Sequence, residues 1–456
     1  MKIKSINPSN YEVVGEVETS SEQEIQEAVE KAREAQPKWA ALSQSQRNKA
    51  VESFMSVLEK HTDELIEAVS TEMGKPISLS KGDTKESVDY FRAFIGMAEQ
   101  GLGPVVVFED NTQKHIQTRE PLGVLVVITP WNFPILNIPF QFGQALLAGN
   151  TILYKPSEEI IVFAQLIQKL IKESDLPDGV FNVVFGDGKV GEQLVQLTVD
   201  GILFTGSSKT GQRITELASK KSTPVMTEMG GSSPGIIFED ADIDKIIDTV
   251  YDMRMANSGQ YCDALKRLLV HESKLDQVIG ALKKVNNTKK VGNAMDRDTD
   301  IGPLVAKRQL DLLQEQVKDA LDRGAEVVFG GKQPDGLDGA YYEPTLLANI
   351  NFDMRVWKEE VFGPVLPIVT FKTEEEAIVL ANDTQYGLSA FVFTSSKDRF
   401  DRVAGKLQAG AIGHNNALYF SPYSPFGGHK QSGNSRVCGV EGFHEVSQIK
   451  LISEEK

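Results

Sequence analysis

The sequence reads Asn257-Ser258-Gly259-Gln260-Tyr261-Cys262-Asp263-Ala264-Leu265-Lys266-Arg267 at the point where a helical pattern gives way to a strand pattern. The stretch holds Cys262, one of two cysteines in 456 residues. A cysteine at a helix-to-strand junction, reached through a glycine-bearing turn, can open onto a cleft, where its thiolate is a strong nucleophile. The alternative is a small buried residue, because free cysteine is among the most buried residue types. This stretch alone leaves both interpretations open.

Strand and helix patterns alternate on both sides of this stretch. Between Leu122 and Glu228, continuous apolar runs such as Val124–Ile128 predict strands that are buried on both faces and separated by helices. One of these helices is predicted over Ile135 to Leu147, and the next is predicted to be capped by Ser157. The alternation restarts at Ile236 and continues to Leu407. We therefore predict a doubly wound α/β fold with two large lobes, which meet just after Glu228.

The segments before and after the lobes have other patterns. Ser21 and Glu24 form a predicted capping box, and helical runs follow it as far as Glu99. Residues 101–120 read as a β-hairpin that projects from the body. An exposed hairpin edge needs a partner strand, and the apolar run Ile449 to Ile452 could supply one from another subunit.

Composition excludes several classes of function. The formal net charge is −16 and the isoelectric point is near 5.0, which argues against nucleic acid and anionic membranes as partners. The first residues contain no apolar signal region, and no apolar run has the length of a membrane span. The two cysteines form no disulfide framework or metal-ligand spacing, so we expect a cytoplasmic protein without a metal.

Polar motifs follow the predicted strands of the first lobe. Asn132, in Thr129-Pro130-Trp131-Asn132-Phe133-Pro134, can donate its amide to a developing oxyanion, or it can belong to a structural turn. Lys155 and Glu158 can bind a ribose, and a carboxylate there favours NAD over NADP because it repels a 2′-phosphate. The alternative for these two residues is an ordinary capped helix start.

Two glycine patterns compete for a pyrophosphate. Gly186-Asp187-Gly188-Lys189-Val190-Gly191 fits the dinucleotide fingerprint, and Gly206-Ser207 follows a strand and opens a helix. Glu228 ends a strand and can act as a general base for water, or it can be a solvated strand end. Glu360 can reach a nicotinamide ribose with Phe362 packed nearby, or it can be an exposed loop acid.

Together these pieces resemble the NAD(P)-dependent aldehyde dehydrogenase superfamily over essentially the whole chain. Each motif is weak alone, but they occur in the family's order and spacing: Trp131-Asn132-Phe133-Pro134, Lys155-Pro156-Ser157-Glu158, Phe204-Thr205-Gly206-Ser207, Glu228-Met229-Gly230-Gly231, Asn257 to Cys262, Glu360-Val361-Phe362-Gly363-Pro364 and Pro425 to Gly433.

The resemblance implies a fold and a mechanism. Cys262 would be the nucleophile, Glu228 the base, and Asn132 an oxyanion donor. The phosphate site would match Gly206-Ser207 rather than the Gly186 pattern. NAD, with NADP as an alternative, would be held by Thr129, Trp131, Lys155, Glu158, Gly206, Ser207, Met229, Glu360 and Phe362. The implied domains are a cofactor domain (1–100 and 122–228), a catalytic domain (229–431) and an oligomerisation hairpin and strand (101–121 and 446–456) of a homodimer or homotetramer.

Departures from the family pattern bear on the substrate. Succinate-semialdehyde dehydrogenases of one type clamp a distal carboxylate with arginines at the places that hold Phe140 and Ala256 here, although Arg254, Lys430 or His414 could substitute. The pocket residues Phe140, Tyr261, Tyr419 and Phe420 favour a small or medium aldehyde. A CoA-acylating relative and a non-catalytic relative are the alternatives; the first generally lacks the glutamate base, and the second is expected to have lost Cys262 or Asn132. Cys438 is expected to be an inert thiol.

Overall fold

The computed structural model describes residues 2–417 and 419–456. Its N-terminal part pairs two strands in antiparallel fashion and then packs four helices beside them: β1 (Lys2–Ile6), β2 (Val13–Glu18), α1 (Glu22–Ala40), α2 (Gln44–Lys60), α3 (Thr62–Met73) and α4 (Ile77–Leu102). The predicted capping box of Ser21 and Glu24 is present at the start of α1. Trp39 anchors α1 to the next lobe, because its buried indole donates to the Leu146 carbonyl at 3.0 Å.

A β-hairpin follows, made of β3 (Val105–Glu109) and β4 (Gln113–Pro121). The prediction that another subunit would supply its partner strand is wrong for β4. The C-terminal strand of the same chain, Ser447–Glu455, pairs with β4 from Ser447↔Pro121 to Glu455↔Gln113. The outer strand β3 keeps an open edge, and Val105 to Phe108 are exposed.

The first lobe is a parallel sheet with helices on both faces. Its elements are β5 (Val124–Ile128), α5 (Pro134–Ile138), α6 (Gln144–Leu147), β6 (Thr151–Lys155), α7 (Ile161–Glu173), β7 (Phe181–Val183), α8 (Gly188–Val195), β8 (Gly201–Gly206), α9 (Ser208–Ser219) and β9 (Val225–Met229). The strand order is β7-β6-β5-β8-β9, with neighbours parallel. The order reverses direction beside β5, which is where such sheets bind ligands.

Two helix predictions in this lobe are wrong in detail. The run from Ile135 to Leu147 is not one helix, because a π-helical turn at Pro139–Gly143 separates α5 from α6. Ser157 does not cap α7, which begins at Ile161 after a turn. Instead the Glu72 carboxylate, from α3, accepts the backbone N–H groups of Val162 and Phe163 at 2.7 Å each.

The second lobe is built on the sheet β12-β13-β14-β11-β10-β16-β17. Its strands run parallel except for β12. The elements of this lobe that were not predicted from the sequence include α11 (Leu275–Asn286), β13 (Thr345–Ala348) and β17 (Ala411–His414). The remaining elements of the chain are β10 (Ser233–Ile237), α10 (Ile243–Met255), β11 (Leu265–His271), α11 (Leu275–Asn286), α12 (Lys307–Asp322), β12 (Glu326–Phe329), β13 (Thr345–Ala348), α13 (Arg355–Lys358), β14 (Val365–Phe371), α14 (Glu374–Asn382), β15 (Tyr386–Gly387), β16 (Ser389–Phe393), α15 (Lys397–Ala404), β17 (Ala411–His414), β18 (His429–Lys430), α16 (Gly439–Glu445) and β19 (Ser447–Glu455).

The last strand of the first sheet, β9, is joined to the first strand of the second sheet, β10, by a short link at residues 230–232. Cys262 lies between α10 and β11, close to this link. Within residues 2–417 and 419–456, no helix is both long and apolar enough to cross a membrane.

Candidate active site

The turn before Cys262 has an unusual backbone. Asn257, Ser258 and Gly259 have φ values of 50°, 55° and 70°, all in the left-handed region. Such angles cost about 1–3 kcal/mol for a residue with a side chain unless the surroundings impose them. At Gly259 a Cβ atom would lie 2.4 Å from the Gly363 carbonyl oxygen, so only glycine fits there.

Buried hydrogen bonds hold this turn. Ser258 Oγ donates to the Gly302 carbonyl at 2.8 Å, and Asn257 Nδ2 donates to the Asn132 carbonyl at 3.0 Å. The Gln260 amide oxygen accepts the Val305 N–H at 2.9 Å. These contacts come from separate parts of the chain, so the strained turn is fixed by the tertiary structure rather than by its own sequence.

Asn132 is joined in a second way to the cysteine loop, which comprises residues 256–264 between α10 and β11. Its Nδ2 donates to the Gln260 carbonyl at 3.0 Å, two residues before Cys262. A side-chain amide has two N–H donors, so one N–H of Asn132 is left over by this bond. The structure therefore brings Asn132 of the first lobe, the predicted oxyanion donor, to the loop that carries Cys262, the predicted nucleophile.

Cys262 is half-buried and carries a free thiol. Burial raises the pKa of this thiol well above its ordinary value, and the negative charges of Asp263, Glu360 and Glu228 act in the same direction, while Lys266 lowers it. Its Sγ lies 3.7 Å from Asp263 Oδ1, within the range of a sulfur hydrogen bond. The sulfur therefore has a polar neighbour, the Asp263 carboxyl group.

Lys266 connects the cysteine loop to the loop between α13 and β14. Its buried amine pairs with Glu360 Oε1 at 2.5 Å and donates to the Cys262 and Gly231 carbonyls at 2.8 Å each. No motif in the sequence indicated a role for Lys266. A signal was available, because Lys266 and Arg267 stand side by side in β11, and a charged side chain that is buried must find a partner.

Glu228 lies near the end of β9 and is buried. Ser435 Oγ donates to its Oε1 at 3.1 Å, and its Oε2 is buried without a hydrogen-bond partner. Burial raises the pKa of this carboxyl well above its ordinary value, against the opposing effects of Ser435 and Arg436. A carboxyl with a raised pKa is suited to general-base work near neutral pH.

The carboxyl ends of β5, β6, β8 and β9 lie along one edge of the first sheet and carry Thr129, Lys155, Gly206 and Met229. Helix α9 starts there, with Ser207 as its cap and no acid in its first turn. The competing Gly186 loop differs, because Asp187 caps α8 with its own carboxylate. An anionic pyrophosphate fits the α9 start and is repelled at α8.

The model of the aldehyde dehydrogenase family matches residues 1–452. Betaine aldehyde dehydrogenase of Bacillus subtilis (strain 168) is 37% identical over 456 residues, which cover 98% of this chain and 93% of that protein. The chain belongs to the aldehyde dehydrogenase family. The predicted family is therefore confirmed.

Solved structures of family members confirm the predicted α/β fold. Betaine aldehyde dehydrogenase from Staphylococcus aureus, in complex with NAD+, matches with a TM-score of 0.95 at 33% identity, over 99% of this chain and 91% of that one. An NADP dependent enzyme of E. coli matches with a TM-score of 0.97 at 32% identity, over 100% of this chain and 95% of that one. As a family member the chain is an NAD(P)-dependent oxidoreductase.

The other predicted cofactor residues of this aldehyde dehydrogenase have defined surroundings. Trp131 and Phe362 meet edge to face, with ring centroids 5.5 Å apart. Glu158 is exposed, and its Oε2 lies 3.9 Å from Lys155 Nζ. The Lys155 amine is buried and donates to the Pro156 carbonyl. Glu360 accepts the Gly231 N–H at 3.1 Å in addition to its pair with Lys266.

The predicted pocket residues fall into separate groups. Tyr419 and Phe420 are in contact, with centroids 5.0 Å apart, and the Tyr419 hydroxyl donates to Asp263 Oδ2 at 2.9 Å. Tyr261 packs against Phe133, with centroids 6.2 Å apart. Phe140 instead packs on Tyr90 and borders the small cavity that Glu228 lines. The structure therefore groups Phe140 with the predicted base rather than with the other aromatic residues.

Proposed function

We propose that this enzyme oxidises a small or medium aldehyde to the carboxylic acid through a thioester on Cys262. The observation that carries the proposal is the double link between Asn132 and the cysteine loop, at 3.0 Å in each direction. It ties the Asn132 amide to the loop that carries Cys262, which supports the role of Asn132 in stabilising an oxyanion on a cysteine adduct.

The chain's own residues supply the chemistry at sulfur. The Cys262 thiol loses its proton to water, and Sγ then forms a bond to the aldehyde carbon as the C=O π bond breaks, while the Asn132 amide and the Cys262 backbone N–H donate to the oxygen that becomes negative. Removing such a donor typically costs about 10²–10³ in rate. After oxidation, Glu228 takes a proton from water, the water oxygen attacks the thioester carbon, and the acid leaves as the Cys262 thiol is restored.

The cofactor, when bound, accepts the hydride that leaves the substrate carbon. Gly206 and Ser207 would hold its pyrophosphate at the start of α9, and Lys155 with Glu158 would hold the adenosine ribose. The exposed carboxylate of Glu158 favours NAD over NADP, because it repels a 2′-phosphate. Trp131, Phe362 and Glu360 would hold the nicotinamide half.

Succinate semialdehyde is disfavoured as the substrate. Arg254 is fully buried, and its Nε and Nη2 donate to the carbonyls of Val361, Gly363 and Val365, so only its buried Nη1 has no partner. His414 contacts the Thr394 carbonyl, and Lys430 donates to the carbonyls of Asn382 and Thr384. The Asp263 carboxylate beside Cys262 would also repel a second carboxylate.

We also propose a homodimer or homotetramer, supported by the exposed apolar side chains of β3 and β19. The acidic composition and the two free cysteines favour a cytoplasmic location.

An aldehyde panel tests the function. The enzyme is expected to form NADH from NAD+ with neutral short aldehydes in the absence of CoA and phosphate, and Cys262→Ala is expected to bind NAD+ but lose at least about 10³-fold in rate. Dependence on CoA would favour an acylating enzyme. Activity retained by Cys262→Ala would refute the assignment.

A further inference from the structure

Asp263 directly follows the nucleophile, and its carboxyl group is buried. The residue is 5% exposed. Oδ2 accepts the Tyr419 hydroxyl at 2.9 Å, and Oδ1 lies 3.7 Å from Cys262 Sγ, where the thiol proton can be donated to it. Both carboxyl oxygens are thus engaged while Cys262 carries its proton.

Within residues 2–417 and 419–456, no cationic side chain forms an ion pair with Asp263. The nearby Lys266 amine is taken by Glu360 and by the carbonyls of Cys262 and Gly231. Burial raises the pKa of Asp263, while the Tyr419 hydroxyl and the charge of Lys266 lower it. The carboxyl group therefore depends on neutral donors, one of which is the thiol itself.

The reaction removes that donor. The thiolate is the nucleophile, so the thiol proton passes to water before Cys262 Sγ bonds to an aldehyde carbon, and Oδ1 then loses the S–H donor that it had. A buried polar group that loses its partner is costly, so a substrate that supplies a new donor gains over one that does not. Because Oδ1 lies beside the sulfur, the group that can reach it is a substituent on the carbon next to the carbonyl.

We propose that Asp263 makes the enzyme select aldehydes that carry a hydrogen-bond donor, a hydroxyl or an ammonium group, on the carbon next to the carbonyl. Tyr419 positions the carboxyl by holding Oδ2, so that Oδ1 faces the substrate. This specificity rests on the proposed function, with Cys262 as the nucleophile. It concerns the choice among aldehydes and not the chemistry itself.

Near-isosteric aldehydes provide the test. 2-Hydroxyethanal and 2-aminoethanal differ from propanal by replacement of one methyl group with a donor, and trimethylammonioethanal carries the charge without an N–H. Specificity constants kcat/KM are compared per unhydrated aldehyde, since these compounds hydrate to different extents. The wild-type enzyme is expected to prefer both donor-bearing aldehydes over propanal by about tenfold or more.

Variants of Asp263 test whether this side chain causes the preference for donor-bearing aldehydes. Asp263→Ala is expected to remove it, so that the ratio of kcat/KM for a donor-bearing aldehyde to kcat/KM for propanal falls by about tenfold. Asp263→Asn keeps an acceptor but loses the charge, so it should keep the preference for 2-hydroxyethanal and lose part of that for 2-aminoethanal. Asp263→Asn alone provides the test if Asp263→Ala does not fold. Asp248→Asn, an exposed acid on α10, is the matched control.

The outcomes separate this inference from the proposed function. If no aldehyde is oxidised, the proposed function fails. If aldehydes are oxidised but the wild type shows no preference, or folded Asp263 variants both keep the full preference, the role of Asp263 is refuted. A preference for trimethylammonioethanal with none for 2-hydroxyethanal also refutes it, because charge alone would then be selected.

Discussion

At the scale of single residues, Glu228 has a buried carboxyl with one oxygen that lacks a partner. Its raised pKa means that it keeps its proton to higher pH than an exposed glutamate does. The base form grows as the pH rises through this pKa, so hydrolysis of the thioester should accelerate in the same range. A group that acts in its protonated form would give the opposite pH dependence, with a rate that falls as the pH rises.

Glu228→Gln is expected to release about one NADH per site rapidly and then to turn over about 10²–10³ times more slowly than the wild type. The amide cannot take a proton from water, so the thioester accumulates. The steady-state rate should also lose the pH dependence described above. Rapid-mixing absorbance of NADH measures both phases, and a steady state equal to that of the wild type contradicts the role as base.

Site residues could be predicted from the sequence only where a recognisable motif contains them. Cys262, Asn132 and Glu228 belong to recognisable motifs, and the structure joins Asn132 to the cysteine loop. Asp263 and Lys266 were in the same stretch but received no role. Their importance comes from partners far away in the sequence, Tyr419 and Glu360, which no local pattern indicates.

At the scale of elements, the start of α7 shows how distant residues decide a boundary. Glu72 is buried and caps α7 from α3. Burial raises its pKa to about 7 from 4.5. Folding therefore favours the protonated carboxyl, so the stability it contributes is fully present below about pH 4.5 and is lost as the pH rises through about 7.

Glu72→Gln imitates the protonated carboxyl at every pH. The free energy of unfolding of the wild type, minus that of the variant, should fall by about 2 kcal/mol between about pH 5 and pH 8. Loss of one backbone hydrogen bond in the variant adds a constant offset, so the slope with pH is the result that matters. Denaturant titrations measure it, with Glu67→Gln, exposed on the same helix, as the control. A flat difference would show that Glu72 does not titrate in this range.

Element existence was easier to predict than element ends. Continuous apolar runs such as Val124–Ile128, which are short and rich in β-branched residues, predict strands buried on both faces, and β5 has these limits. The single helix predicted over Ile135 to Leu147 failed at Pro139, which lacks the N–H that a regular α-helix needs there. Ser157 resembled a helix cap, but the donors of α7 were already taken by Glu72.

At the scale of the whole molecule, the sheet β19-β4-β3 carries exposed apolar side chains on both faces. Leu451 pairs in register with Gln117 and Val105, so these residues share a row, and Ile449 lies on the same face. Leu451 is 59% exposed and Ile449 is 58% exposed.

The hairpin was predicted from the sequence, but strand propensity does not say which edge a strand will join. α16 ends at Glu445 and β19 starts at Ser447 beside Pro121, which directs β19 to its own hairpin.

We expect this face to be covered by another copy of the chain. Ile449→Lys combined with Leu451→Lys should convert the wild-type dimer or tetramer to a smaller species, because buried lysines there would be unpaired. Light scattering after size-exclusion chromatography gives the mass of each species. Glu454→Lys on the same strand is the charge-matched control. A monomeric wild type, or an unchanged mass in the double variant, would contradict the expectation.

The covalent role of Cys262 is tested most directly by the mass of its peptide. Glu228→Gln is mixed with NAD+ and an oxidisable aldehyde, quenched in acid within the burst, digested and analysed by mass spectrometry. We predict that the peptide containing Cys262 gains the mass of the acyl group, in proportion to the NADH formed, while the peptide containing Cys438 is unmodified. Formation of NADH with no acyl group on Cys262, or with the acyl group on Cys438, would contradict the account.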